Sequence, residues 1–284
     1  MEEEVVTEGC PTAETLAARG GLAERTAVPS PTSSSAFHGW AYLLPNGMVE
    51  VRDQQTADIL YSNGFFGKGS ISRSKPVNVS AEVLCLSTEE VYFLSVYVKC
   101  LLVIRSGPGR THKPPASAEC SMSADDLWQA FCRIEPLFPE KYASYHYFRC
   151  RGWVVKSGLK FGVHFLIYKG TPDSTHASYS VIIQPYDASQ ERFKGLWTKR
   201  SHGESFESLE TLVRLASTAS KKLLFCLVGE DSSYEGDEKT QNSERDKAKV
   251  STGTNQLVDR HTRWKILPVV IEPWDPRASR AATK

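Results

Sequence analysis

A chain of 284 residues, 40% hydrophobic and 24% charged, has the composition of an ordinary globular protein with room for two modest domains. Its 34 Lys and Arg nearly cancel 33 Asp and Glu, and a net charge of +1 argues neither for nor against a polyanionic partner. No apolar run approaches the roughly 20 residues of a membrane-spanning helix, and Met1-Glu2-Glu3-Glu4 is acidic where a secretory signal is basic, so a nuclear protein (or a cytoplasmic one) with no membrane association is expected.

Residues 1–36 are rich in Ala, Gly, Ser, Thr, Pro and Glu and predict a disordered tail. Trp40–Leu44 and Met48–Val51 flank the turn signal Pro45-Asn46-Gly47 and predict a hairpin. Ala57, Leu60 and Tyr61 have helical spacing over 53–63, stopped by Asn63-Gly64. Phe65-Phe66-Gly67-Lys68-Gly69 is glycine-rich but lacks the spacing of a phosphate-binding loop. Thr88 is the expected N-cap of an apolar helix reaching Leu101, and Ser123 that of a helix carrying Leu127, Trp128 and Phe131 inward. Between them, residues 105–123 read as a linker or insertion.

A helix is expected from Tyr142 to Cys150, closed by Gly152, followed by strands over 161–168 and 177–184. Leu209, Leu212, Val213, Leu215 and Ala216 predict a helix, and Leu223–Val228 and Trp264–Ile271 two more strands. Residues 229–257 are polar and predict a flexible insert. The chain therefore reads as α+β: an N-terminal α/β domain over 37–104, then a C-terminal domain of mixed β-sheet flanked by helices over 124–276, and a loose tail over 277–284. The seven cysteines are odd in number and form no Cys-x-x-Cys pair, which predicts reduced thiols rather than disulfides or a zinc site.

Residues 140–228 carry 13 Lys and Arg against 7 Asp and Glu, a local positive field that suits a polyanion as well as an ordinary lysine-rich surface. In that span three ionisable residues fall at element ends: Tyr168 where a strand meets a loop, His176 where the loop meets the return strand, and Lys221 between a helix and a strand. Position alone leaves each open to an ordinary packing or surface role.

The stretch from Tyr145-His146-Tyr147-Phe148-Arg149-Cys150-Arg151-Gly152-Trp153 through Lys156-Ser157-Gly158-Leu159-Lys160-Phe161-Gly162 closely resembles the catalytic core of tRNA-splicing endonucleases. The resemblance continues through Phe165-Leu166-Ile167-Tyr168 and His176-Ala177-Ser178-Tyr179-Ser180-Val181. The segments Ile59-Leu60-Tyr61, Gly64–Gly69 and Ser72-Arg73-Ser74-Lys75-Pro76 are similar to the subunit that cuts the 5′ splice site. The resemblance implies a C-terminal tRNA-intron endonuclease domain with a catalytic set of Tyr168, His176 and Lys221, the last within a Ser-Lys signal that selects it over Lys222. It implies intron-containing pre-tRNA as substrate, no cofactor and no metal. It also implies a heterotetramer with a second catalytic subunit and two structural ones, and Arg214 with Trp274 as a pair that sandwiches an RNA base; Trp274 reads equally as a hydrophobic anchor.

The chemistry suits these residue types. RNA supplies its own nucleophile, the 2′-OH, so a base (Tyr168), an acid (His176) and a cation (Lys221) suffice, leaving a 2′,3′-cyclic phosphate and a 5′-OH. A free tyrosine has a pKa of about 10. Tyr168 is therefore either a base, with Lys221 expected to lower its pKa, or a group that positions the 2′-OH. His164 departs from the family pattern, which often has an acidic residue there. The rival reading is a non-catalytic RNA-binding or structural subunit of the same fold, since fold alone does not give function.

Overall fold

Two short apolar strands around a Pro-Asn-Gly turn close into the expected hairpin. In this computed structural model, β1 (Gly39–Leu43) pairs antiparallel with β2 (Val49–Val51), and Asn46 Oδ1 accepts the Met48 N–H at 3.1 Å. The structure describes residues 39–71, 82–106, 120–187, 192–193, 206–230 and 264–271. The expectations for residues 1–36, for 107–119 of the linker, for 231–257 of the insert, and for Trp274 and the tail lie outside them. The chain divides into two units: residues up to Lys156 with Tyr168–His176, and Ser157–Ile167 with the chain from Ala177 on.

In the first unit, α1 (Gln54–Gly64) is capped by Asp53, whose Oδ2 accepts the Thr56 N–H at 2.7 Å. The expected stop at Asn63-Gly64 is displaced: Gly64 is still helical, and Phe65 is the residue that turns left-handed, at φ 54°. A bulky residue there costs on the order of 1–2 kcal/mol, and cations hold the turn in place. Arg149 Nη2 donates to the Gly64 carbonyl at 2.8 Å, and Lys156 Nζ donates to the carbonyls of Phe65 and, at 2.6 Å, Gly67. Gly67 has φ 69°, and a Cβ there would lie 2.7 Å from the Cys85 carbonyl oxygen. The glycine-rich run is thus a turn whose carbonyls are satisfied from within the protein.

Burial pushes the Lys156 pKa down to about 8, against the opposing pull of Glu90 and Asp173. Its unfolded value is near 10.4, so between these the unfolded chain binds more protons and stability rises with pH. Lys156→Met leaves two carbonyls unpaired and is expected to cost about 1–3 kcal/mol. The measurement is a urea unfolding midpoint, with the variant losing the wild type's gain in stability above pH 8.

After β3 (Lys68–Gly69) and β4 (Leu84–Leu86), the expected helix from a Thr88 cap to Leu101 is corrected in two ways. Ser87 is the cap, in a capping box with Glu90, and Thr88 is the first residue of α2 (Thr88–Tyr92). The coil then widens into a π-turn over Phe93–Tyr97, and Leu101 opens β5 (Leu101–Arg105), parallel to β1. Leu101 and Val103 are buried and Leu102 and Ile104 less so, a period of two that pairing with β1 rewards over helical continuation. The sheet order is β3-β4-β2-β1-β5.

Ser123 caps α3 (Ala124–Ile134) as expected, while α4 (Phe138–Cys150) starts one turn before the expected Tyr142. Where α2, α3 and α4 meet, Tyr92 and Trp128 pack edge-to-face with each other and with Phe138 and Tyr142, which stack on one another.

The predicted strand over 161–168 is shorter. Leu159–Phe161 is a 3₁₀ turn, Gly162 is left-handed at φ 68°, and β7 spans only Phe165–Tyr168 after β6 (Val154–Ser157). Residues 161–164 of the expected strand therefore lie outside it. Next come β8 (Tyr179–Asp187), β9 (Arg192–Phe193), α5 (Phe206–Thr218), β10 (Lys222–Glu230) and β11 (Trp264–Ile271). β8 and β10 are parallel, which requires a crossover such as α5. The sheet order is β11-β10-β8-β7-β6, with β9 beside β8. Gly229 and Glu230, expected to begin the insert, end β10 instead. Mixed sheets with helices make the fold α+β, as expected.

Candidate active site

Tyr168 ends β7 and is half-buried, its ring packed against a cluster of Tyr61, Phe65 and Val154. Burial pushes its phenol above the ordinary tyrosine range, the reverse of the lowering expected from Lys221. Its phenolate is consequently scarcer, and more basic, than that of a free tyrosine.

The loop that follows folds on itself. The amides of Ser174 and Thr175 donate to the Thr171 carbonyl at 3.1 and 2.9 Å, and Thr175 Oγ1 adds a third bond at 2.8 Å. The Thr171 and Ser174 hydroxyls also bond to each other. At the far lip His176 is exposed, with buried Ala177 after it. A substrate can reach the imidazole.

In the second unit, Lys221 owes its position to the end of α5. Ser220 is left-handed at φ 54°, its N–H bonds to the Ser217 carbonyl at 2.9 Å, and the Lys221 N–H bonds to that of Ala216 at 2.9 Å. These two bonds form a Schellman motif, which usually carries glycine at the left-handed residue. The Ser-Lys signal thus has a structural meaning: serine ends the helix, and the next residue leads directly into β10. Lys221 Nζ donates to the Ala219 carbonyl at 2.9 Å and lies 5.0 Å from the centre of the Phe161 ring.

His164 is occupied structurally. Its Nδ1 accepts the Ile183 N–H at 3.0 Å, which requires a tautomer with that nitrogen unprotonated, while its own amide bonds to the Val181 carbonyl. Arg214 is exposed on α5 and paired with Glu210 one turn earlier at 2.5 Å. Such a surface pair is worth about 0–1 kcal/mol, so a stacked base could displace it. Sequence reasoning does not single out Lys156, whose amine supports the turn beside the tyrosine cluster, because its partners are backbone carbonyls some 90 residues earlier. No group of three or more His, Cys, Asp and Glu suited to hold a metal ion occurs among the described residues. None of the six described cysteines is joined in a disulfide. No helix among the described residues is long and apolar enough to cross a membrane.

Residues 138–235 match the catalytic C-terminal domain of the tRNA intron endonucleases, a span that contains Tyr168, His176, Arg214 and Lys221. That region carries the chain's similarity to this family. The tRNA-splicing endonuclease subunit Sen2 of Mus musculus is 32% identical over 213 residues, covering 75% of this chain and 42% of its own length. Sen2 of Rattus norvegicus is 37% identical over 159 residues, or 56% of this chain and 30% of its own. The tRNA-splicing endonuclease of Methanosarcina mazei is 28% identical over 186 residues, 64% of this chain and 43% of its own. The chain spans less than half the length of each of these relatives.

Proposed function

We propose that this chain is a catalytic subunit of a tRNA-splicing endonuclease and cuts intron-containing pre-tRNA at the 5′ splice site without a metal ion. The observation that carries the reading is the family match over a span holding a tyrosine and a histidine at the two lips of one self-bonded loop, with a lysine set by a helix terminus. The 2′-oxygen attacks the phosphorus as the P–O5′ bond breaks. Tyr168, as phenolate, takes the 2′-OH proton, and His176, as imidazolium, gives a proton to the departing 5′-oxygen. Lys221 offsets the charge that builds on the phosphoryl oxygens. A 2′,3′-cyclic phosphate and a 5′-OH result. Arg214 and Trp274 stack on a base near the splice site that a partner subunit cuts, a contact worth on the order of 1–3 kcal/mol. The enzyme works in the nucleus. The reading is tested by pre-tRNA cleavage in EDTA by the assembled enzyme, wild type against His176→Ala.

The partners are a second catalytic subunit and two structural ones, joined through β11. That strand is the edge of its sheet, and Leu267, Val269 and Val270 are 54%, 41% and 44% exposed. An exposed apolar edge invites pairing with another chain. Leu267→Lys with Val269→Lys is expected to leave the circular dichroism spectrum unchanged and to abolish co-purification with the partner subunits; undiminished assembly would assign the joint elsewhere.

A further inference from the structure

We infer that Tyr61 is a positioning residue for the cleavage reaction: through one hydrogen bond to Asp173 and one packing contact to Tyr168, it holds the loop that carries both proposed catalytic residues. This deepens the catalytic reading of Tyr168 and His176 and rests on it.

Tyr61 lies on α1 and is only 4% exposed. Its ring is fixed on two sides, edge-to-face with Phe65 at 5.6 Å between centroids and 5.5 Å from the Lys156 amine. Phe65 is itself locked by its strained left-handed turn and the carbonyl bonds of Arg149 and Lys156. From this support the Tyr61 hydroxyl donates to Asp173 Oδ1 at 2.9 Å, across 112 residues of sequence. The same ring belongs to the cluster on which Tyr168 packs.

The loop's other described bonds are internal. They make its turn rigid without reaching outside it; its described ties to the rest of the unit meet at Asp173, which the Lys156 amine attracts and the Tyr61 hydroxyl binds directly. The direct bond, three residues before exposed His176, sets the loop's position about its two ends. Tyr61 thereby fixes the loop at its first residue by packing and near its last by a charge-assisted hydrogen bond. Reactions that need an acid and a base aligned on one phosphodiester are sensitive to shifts of about 1 Å, which cost up to about a hundredfold in rate.

The test uses the complete protein reconstituted with its partner subunits and intron-containing pre-tRNA, measuring kcat and KM. Tyr61→Phe keeps the ring and removes the donor; Asp173→Ala removes the acceptor at an exposed residue, where folding is not at risk. Each is expected to lower kcat about tenfold with KM unchanged, and the double variant is expected to be no worse than either single one. Asp173→Asn, which retains the Oδ1 acceptor, is expected to recover most of the rate. The inference is overturned if Tyr61→Phe and Asp173→Ala cleave at the wild-type rate, if their losses multiply, or if they act on KM alone. His176→Ala in the same series separates the two readings. If it is inactive while the other variants are normal, only the positioning role fails; if it too cleaves normally, the catalytic reading fails and takes this inference with it.

Discussion

His176→Ala is expected to abolish cleavage of intron-containing pre-tRNA at the 5′ splice site by the assembled enzyme, while the wild type cuts at full rate in EDTA. The leaving 5′-oxygen is an alkoxide, a poor leaving group unless protonated as the bond breaks. A positioned general acid typically contributes about 10²–10⁴ in rate, and the loss is expected near the upper end of that range. The substitution should leave the fold intact, because His176 is exposed at the lip of a loop whose described hydrogen bonds run through Thr171, Ser174, Thr175 and Asp173. An unchanged thermal melt is the control. Two outcomes would sink the mechanism: cutting at the 5′ site that survives the substitution, or wild-type cutting that disappears with the metal chelated. If only the cut at the other splice site survived, the residual activity would belong to the second catalytic subunit, and this chain would be assigned the 5′ cut as proposed.

Local signals were read well where one force dominates. The hairpin around Asn46-Gly47, the Ser123 cap and the strand Trp264–Ile271 each follow from turn chemistry, capping or an apolar run, and the structure has them in place. The misreadings share a cause, which is tertiary pairing overriding local pattern. Val98–Leu101 looks like a continuation of an apolar helix until β1 offers a parallel edge for Leu101–Arg105. Residues 161–164 look extended until Gly162 closes a 3₁₀ turn and His164 spends its side chain on the Ile183 amide. Left-handed residues were missed at Phe65 and Ser220 because neither is glycine, yet both end a helix beside a residue of the candidate site.

The three candidate catalytic residues were legible only through the family pattern, since a tyrosine, a histidine and a lysine at element ends say little by themselves. Their surroundings were not legible at all. The hydrogen bond from Tyr61 to Asp173 and the carbonyl bonds of Lys156 join residues roughly a hundred positions apart, and no periodicity records a contact of that kind. The same holds for the electrostatics. A lysine in the motif suggested a lowered tyrosine pKa, whereas packing against Tyr61, Phe65 and Val154 moves it upward.

That upward shift gives the second large expectation. Tyr168→Phe removes the oxygen that meets the 2′-OH and is expected to lower the cleavage rate about 10²–10³-fold at saturating substrate. The loss alone does not tell a base from a positioning group, because either role needs that oxygen. Replacing Tyr168 with a ring-fluorinated tyrosine does. Fluorine lowers the phenol pKa while adding little bulk. At pH 7 a phenol with a pKa of 10 is ionised about once in a thousand molecules, and burial makes the Tyr168 phenolate rarer still. Lowering the pKa raises the phenolate fraction in direct proportion, while its basicity falls by less than that in its effect on rate, since proton transfer is only partial in the transition state. A true base therefore predicts faster cleavage at neutral pH, by several-fold, with the gain fading as the pH approaches the phenol's own pKa. A group that merely orients the 2′-OH through its neutral oxygen predicts no gain, because fluorination weakens that oxygen as an acceptor. An unchanged or slower rate at neutral pH would remove the proton-accepting role from Tyr168 and leave it the part of aligning the nucleophile.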